Sequence, residues 1–144
     1  MTRARTALAI FVGVLALVAA VPVSAGSPQL HYMLQCQGCH RADGSGSPGA
    51  VPSLSDSIGR FLTVPGGREY LVRVPGSAQS PLGDDDLARV LNWMIRAFGP
   101  PAIAADFEPF RADEVARIRV SPLIEVESAR RALIRAIDRD RTLD

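Results

Sequence analysis

Lysine is absent from this sequence: all 16 basic residues of the 144-residue chain are arginine. Genomic base composition suffices to explain the bias, but it removes one metal-ligating amine from every possible site. Cysteine and histidine are scarce, at two each. A zinc centre would therefore need all four, with His31 as the fourth ligand, at a spacing unlike the usual fingers. A basic surplus is missing as well. All 15 acidic residues lie after position 25, whereas Arg3 and Arg5 lie before it. The remainder is close to neutral, which argues against a nucleic-acid partner. No internal repeat, low-complexity tract, acid/base pair, nucleophile motif or substrate motif is visible. The one extended apolar run, Ala7 to Val23, falls short of the roughly 20 apolar residues a spanning helix needs.

What is present begins with that run. Two arginines precede it, and Val23-Ser24-Ala25 follows with small residues at the positions a signal peptidase reads. This is the charged, apolar, small-residue order of a secretory signal peptide over residues 1–25. Cleavage after Ala25 predicts a periplasmic protein, membrane-associated only if the segment is retained. The rest has the size of a single domain.

Helical signals dominate the remainder. Ser27-Pro28 reads as a helix start, with serine as the cap and proline in the first turn. Arg41 to Ser53 is rich in glycine, serine and proline and predicts a loop. Leu54 to Leu62 predicts a short helix broken by Pro65-Gly66-Gly67, and Glu69 to Val74 fits strand or helix equally on pattern. Pro75 to Gly83 predicts another loop. Asp84, Asp85 and Asp86 place negative charge where a helix dipole favours it. Leu87, Val90, Leu91, Met94, Ile95 and Phe98 then share one helical face. Gly99-Pro100-Pro101 stops that helix. Ala112 to Arg119 and Pro122 to Ile137 predict two more helices, and Arg139 to Asp144 a polar tail. The expected class is all-α.

Cys36-Gln37-Gly38-Cys39-His40 matches C-x-x-C-H, the haem-attachment pattern. Two thiols one helical turn apart can add across the two vinyl groups on one porphyrin edge. The histidine that follows is then held beneath the iron as a proximal ligand. Two alternatives fit less well. A thioredoxin-like pair needs a βαβ setting that the sequence lacks. A structural disulfide would close a tiny loop and contribute little.

Around this motif, residues 27–99 resemble the class I cytochrome c family. Tyr32 stands four before the first cysteine, Glu69 to Val74 with Gly76 resembles the family's third helix and its glycine turn, and Pro81 to Ala88 resembles the start of the last helix. Trp93 falls where that helix carries an aromatic packed on the first. The resemblance implies a cytochrome c fold around one covalently bound haem c over 26–100, with 101–144 a C-terminal helical extension. One departure stands out. The family has a methionine, its sixth iron ligand, directly before the loop proline; here that position is Ser80. With lysine absent, the remaining strong side-chain candidates are His31, Met33 and Met94. Met94 is the best placed of the three, although filling space is the ordinary role of a methionine on an apolar face. The expected arrangement is an iron with no strong protein ligand from that loop.

The function implied is single-electron transfer by a periplasmic monohaem cytochrome, as a carrier or as the cytochrome subunit or acceptor of a dehydrogenase or oxidase. The alternative is a haem enzyme or gas-binding sensor with an open distal site.

Overall fold

Ser27 caps the first helix, α1 (Pro28–Gln35), by accepting a hydrogen bond from the Leu30 N–H at 3.1 Å. Pro28 lies in the first turn, where its missing N–H costs nothing. The structure is a computed structural model and describes residues 26–142. The signal segment expected over 1–25 lies outside the described residues.

After α1 come α2 (Gln37–His40), a 3₁₀ helix (Ile58–Thr63), α3 (Gly67–Arg73), α4 (Pro75–Ala78), α5 (Asp84–Phe98), α6 (Pro101–Asp106), α7 (Ala112–Arg119) and α8 (Val126–Asp140). Among the described residues the only extended pairing is one bridge, Ser47 to Val51. The chain is all-α, as expected.

Several boundaries differ from the sequence pattern, each for a local reason. The 54–62 segment tightens into a 3₁₀ helix, and Gly67 begins the next helix where a break was expected. Only glycine fits there, because a Cβ on Gly67 would lie 1.8 Å from the Phe61 carbonyl oxygen. The ambiguous Glu69–Val74 stretch is helical. The 75–83 segment starts as a short helix, since Pro75 occupies its first position with φ already set. Gly99 ends α5, but Pro101 immediately opens α6 in the same way. The last helix starts at Val126 instead of Pro122, because the Leu123 N–H donates to the Arg73 carbonyl at 2.8 Å and holds that segment out of helix.

α5 is the hub. Leu87, Val90, Leu91, Met94 and Ile95 are buried along one face, as the spacing predicts, while Phe98 is only partly covered. Each buried aliphatic side chain contributes about 1.5–3 kcal/mol. α1 packs across this helix through Tyr32, whose ring lies 5.1 Å from Trp93 and 5.3 Å from Phe98. Phe110, Val115 and Ile137 join the same core from the C-terminal segment.

Candidate haem site

Cys36 ends α1 by donating its N–H to the Tyr32 carbonyl at 2.9 Å, then caps α2. The N–H groups of Cys39 and His40 both donate to the Cys36 carbonyl, at 3.2 and 3.0 Å. One tight turn therefore carries both thiols and the imidazole. Neither cysteine is in a disulfide; Cys36 is half-buried and Cys39 exposed. Burial pushes the Cys36 thiol up, and the neighbouring Cys39 pushes it further in the same direction. Cys36 thus favours the protonated thiol over the thiolate.

His40 is half-buried, and desolvation lowers its pKa while the nearby Pro52 carbonyl opposes the shift. Its Nδ1 is fully buried with no hydrogen bond of normal geometry. The imidazole is consequently neutral near pH 7, the form that ligates iron. The loop behind it is tightly folded. The Gly46 N–H donates to the His40 carbonyl at 3.2 Å, and Ser47 and Val51 exchange two bonds at 2.9 and 2.8 Å. Gly46 has φ +68°, and a Cβ there would meet the Val51 carbonyl oxygen at 2.4 Å. This turn brings Pro52 beside His40.

On its other flank, Arg41 adopts φ 61° and ψ 171°, a region that side-chain-bearing residues rarely occupy. The buried Tyr32 phenol donates to the Arg41 carbonyl at 2.5 Å. Burial, followed by the charges of Cys36 and Asp43, pushes the Tyr32 pKa up to about 12.

The remaining expected candidates are dispersed. Met94 is 6% exposed within the apolar core, whereas Met33 is 52% exposed on α1. The His31 Nδ1 lies 3.6 Å from an Asp86 carboxylate oxygen on α5. Ser80 accepts a hydrogen bond from the Leu82 N–H at its hydroxyl, 3.2 Å, and one from Arg119 at its carbonyl, 2.6 Å. Three arginines that could pair with haem propionates are occupied within the protein: Arg60 by the Asp56 carbonyl, Arg68 by Glu114 and the Glu108 carbonyl, Arg73 by the Ser121 carbonyl. Arg119 and the Asn92–Phe110 pair were invisible to pattern reading, because nothing local distinguishes one arginine or asparagine from its neighbours.

The donor set fits a covalently held haem: two free thiols and a neutral, partly buried imidazole on one turn. No protein-family profile matches the chain. It is similar to cytochrome c-552 of Thermus thermophilus, 36% identical over 107 residues that cover 62% of this chain and 82% of the relative. A second Thermus thermophilus cytochrome c-552 matches with the same identity over 72% of its length. The chain belongs to the class I c-type cytochromes. It is a monohaem c-type cytochrome of electron transfer, with the all-α fold of that family and haem c as its covalently bound cofactor. Within this cytochrome, the Tyr32–Trp93 contact is the aromatic packing between first and last helices that the sequence resemblance implied.

Proposed function

We propose that residues 26–100 form the haem domain, with Cys36 and Cys39 bonded to the haem and His40 as its proximal iron ligand. The chain then works as an exported, periplasmic single-electron carrier serving a dehydrogenase or oxidase. One haem c supplies a one-electron Fe(II)/Fe(III) couple. The protein contributes attachment at two thiols, a neutral ligand nitrogen at His40, and an aromatic cluster of the buried Tyr32 with the partly covered Trp93 and Phe98. Residues 101–144 serve as a helical extension, whose described part is tied to α3 and α5 by Arg68, Arg73 and Asn92.

The single observation that carries this reading is the turn from Cys36 to His40, which places two free thiols and a desolvated imidazole together and is closed by the Cys39 and His40 N–H groups donating to the Cys36 carbonyl. Export rests on the order of residues 1–25. Covalent haem staining on a denaturing gel is expected to be positive, and to vanish in Cys36→Ala combined with Cys39→Ala. Staining that persists in the double variant overturns the attachment.

Ser80 favours a second reading. It stands where the family places the methionine ligand, and its hydroxyl and carbonyl are both engaged within the protein. An iron left without a strong ligand on that side suits a haem enzyme or gas-binding sensor. Rapid carbon monoxide binding by the ferrous protein supports this use. A sulfur-to-iron charge-transfer band in the ferric spectrum counts against it.

A further inference from the structure

The segment from Ala78, the last residue of α4, to Asp84, the first of α5, carries Ser80, and its carbonyls do not close on one another. Four of its groups converge instead on a single side chain from the C-terminal segment. The Arg119 guanidinium donates to the carbonyls of Ala78 (3.3 Å from Nε, 3.2 Å from Nη2), Ser80 (2.6 Å) and Leu82 (2.8 Å), and to the Asp84 carboxylate (3.0 Å). All three guanidinium nitrogens are used, and the side chain is only 15% exposed. A planar fork can satisfy several acceptors at fixed angles in a way that a point charge cannot.

Arg119 is itself held rigidly. It is the last residue of α7, whose Val115 is completely buried and whose Glu114 pairs with Arg68 of α3. Just beyond it, Ser121 accepts from Arg73 at 2.6 Å. The guanidinium therefore transmits the position of an anchored helix to a segment with little regular structure of its own.

We propose that Arg119 is a positioning residue that keeps the 78–84 segment closed and thereby limits the entry of external ligands to the iron. This rests on the reading that the segment lies across from His40. A family member with an iron-bound methionine has that bond to fasten its loop. Here Ser80 offers no such bond, and a charged side chain from the extension fastens the backbone instead. Access to the iron is then set by how often the 78–84 segment releases Arg119.

The test uses the full holoprotein and measures two quantities: the rate at which the ferric form binds imidazole, and hydrogen exchange at the Ser80 and Leu82 amides. Arg119→Ala is expected to speed imidazole binding at least tenfold and Arg119→Lys by an intermediate factor, with faster exchange at both amides. Glu114→Gln weakens one anchor of the same helix but leaves the buried Val115, the Arg73–Ser121 bond and the acceptors of Arg119 in place. It is expected to lower the melting temperature yet leave imidazole binding within twofold. Equal acceleration by Glu114→Gln and Arg119→Lys would reduce Arg119 to a general stabiliser and overturn the proposal. So would faster amide exchange with an unchanged imidazole rate. Failure of the underlying reading shows separately: the unsubstituted protein would then carry a strong sixth ligand, and Met94→Leu would abolish its ferric charge-transfer band.

Discussion

The phenol of Tyr32 donates to the carbonyl of Arg41 at 2.5 Å, joining the first helix to the residue just after His40. That residue holds a φ of 61°, a strained conformation for a side-chain-bearing residue. Tyr32→Phe keeps the ring contacts with Trp93 and Phe98 but leaves the carbonyl without its donor. The expected loss is about 1–3 kcal/mol in urea unfolding of the holoprotein. An unchanged midpoint would show that the Arg41 carbonyl is satisfied in some other way.

The same phenol makes stability depend on alkaline pH. Its pKa rises from 10.0 to about 12 on folding. Between those values the unfolded chain has released a proton that the folded chain keeps, so the contribution of Tyr32 is full below pH 10 and falls towards pH 12. Lysine cannot blur this window, since the chain has none, and the only other tyrosine, Tyr70, is shifted up by burial as well. Tyr32→Phe should flatten the fall and leave a shallower dependence from Tyr70. A slope identical to that of the unsubstituted protein would contradict the assignment.

Acid acts through a different contact. The Arg68 guanidinium, through its hydrogen bonds and its charge, holds the Glu114 carboxyl below its usual value of 4.5. Its contribution is therefore complete above that value and disappears as pH falls through the lowered folded value. Glu114→Gln is expected to cost about 1 kcal/mol at neutral pH. It should also make the acid limb shallower, with the residual slope coming from groups such as Asp113. Thermal melts between neutral and acid pH measure both effects.

Asn92 holds the extension against α5 by a reciprocal pair. Its amide donates to the Phe110 carbonyl at 2.9 Å, and its carbonyl oxygen accepts from the Phe110 N–H at 2.7 Å. Asn92→Ala strands both backbone groups, for an expected cost of about 3 kcal/mol. Limited proteolysis should then cleave between α6 and α7 before it cleaves elsewhere.

Met94 provides a test of packing against ligation. Buried at 6% exposure in the core, it should tolerate leucine at a cost below about 1.5 kcal/mol. The ferric spectrum is expected to stay the same. A lost charge-transfer band would assign Met94 to the iron.

The periodic parts of the fold were legible residue by residue. Ala112–Arg119 folds as a helix over the interval its sequence suggests, and Asp84–Phe98 buries the face that its spacing marks. Leu123 shows where such reading fails. Its amide is taken by the Arg73 carbonyl, 50 positions earlier, so a segment with a helical pattern stays out of helix until Val126. The sequence pattern puts Pro75 at the start of a loop and Pro101 at the end of a helix, yet each opens a short helix, because proline's fixed φ suits a first turn.

The sequence alone determined the haem-attachment motif, the helical class and the absence of a methionine before Pro81, because each is a matter of residue type at fixed short spacing. The contacts around that motif belonged to the tertiary structure. Tyr32 reaching Arg41, Pro52 arriving beside His40, and Arg119 closing on residues 78–84 join positions separated by 9 to 41 residues in the chain. Hydrogen bonds across such separations depend on where packed helices place their ends, and no local pattern encodes that placement.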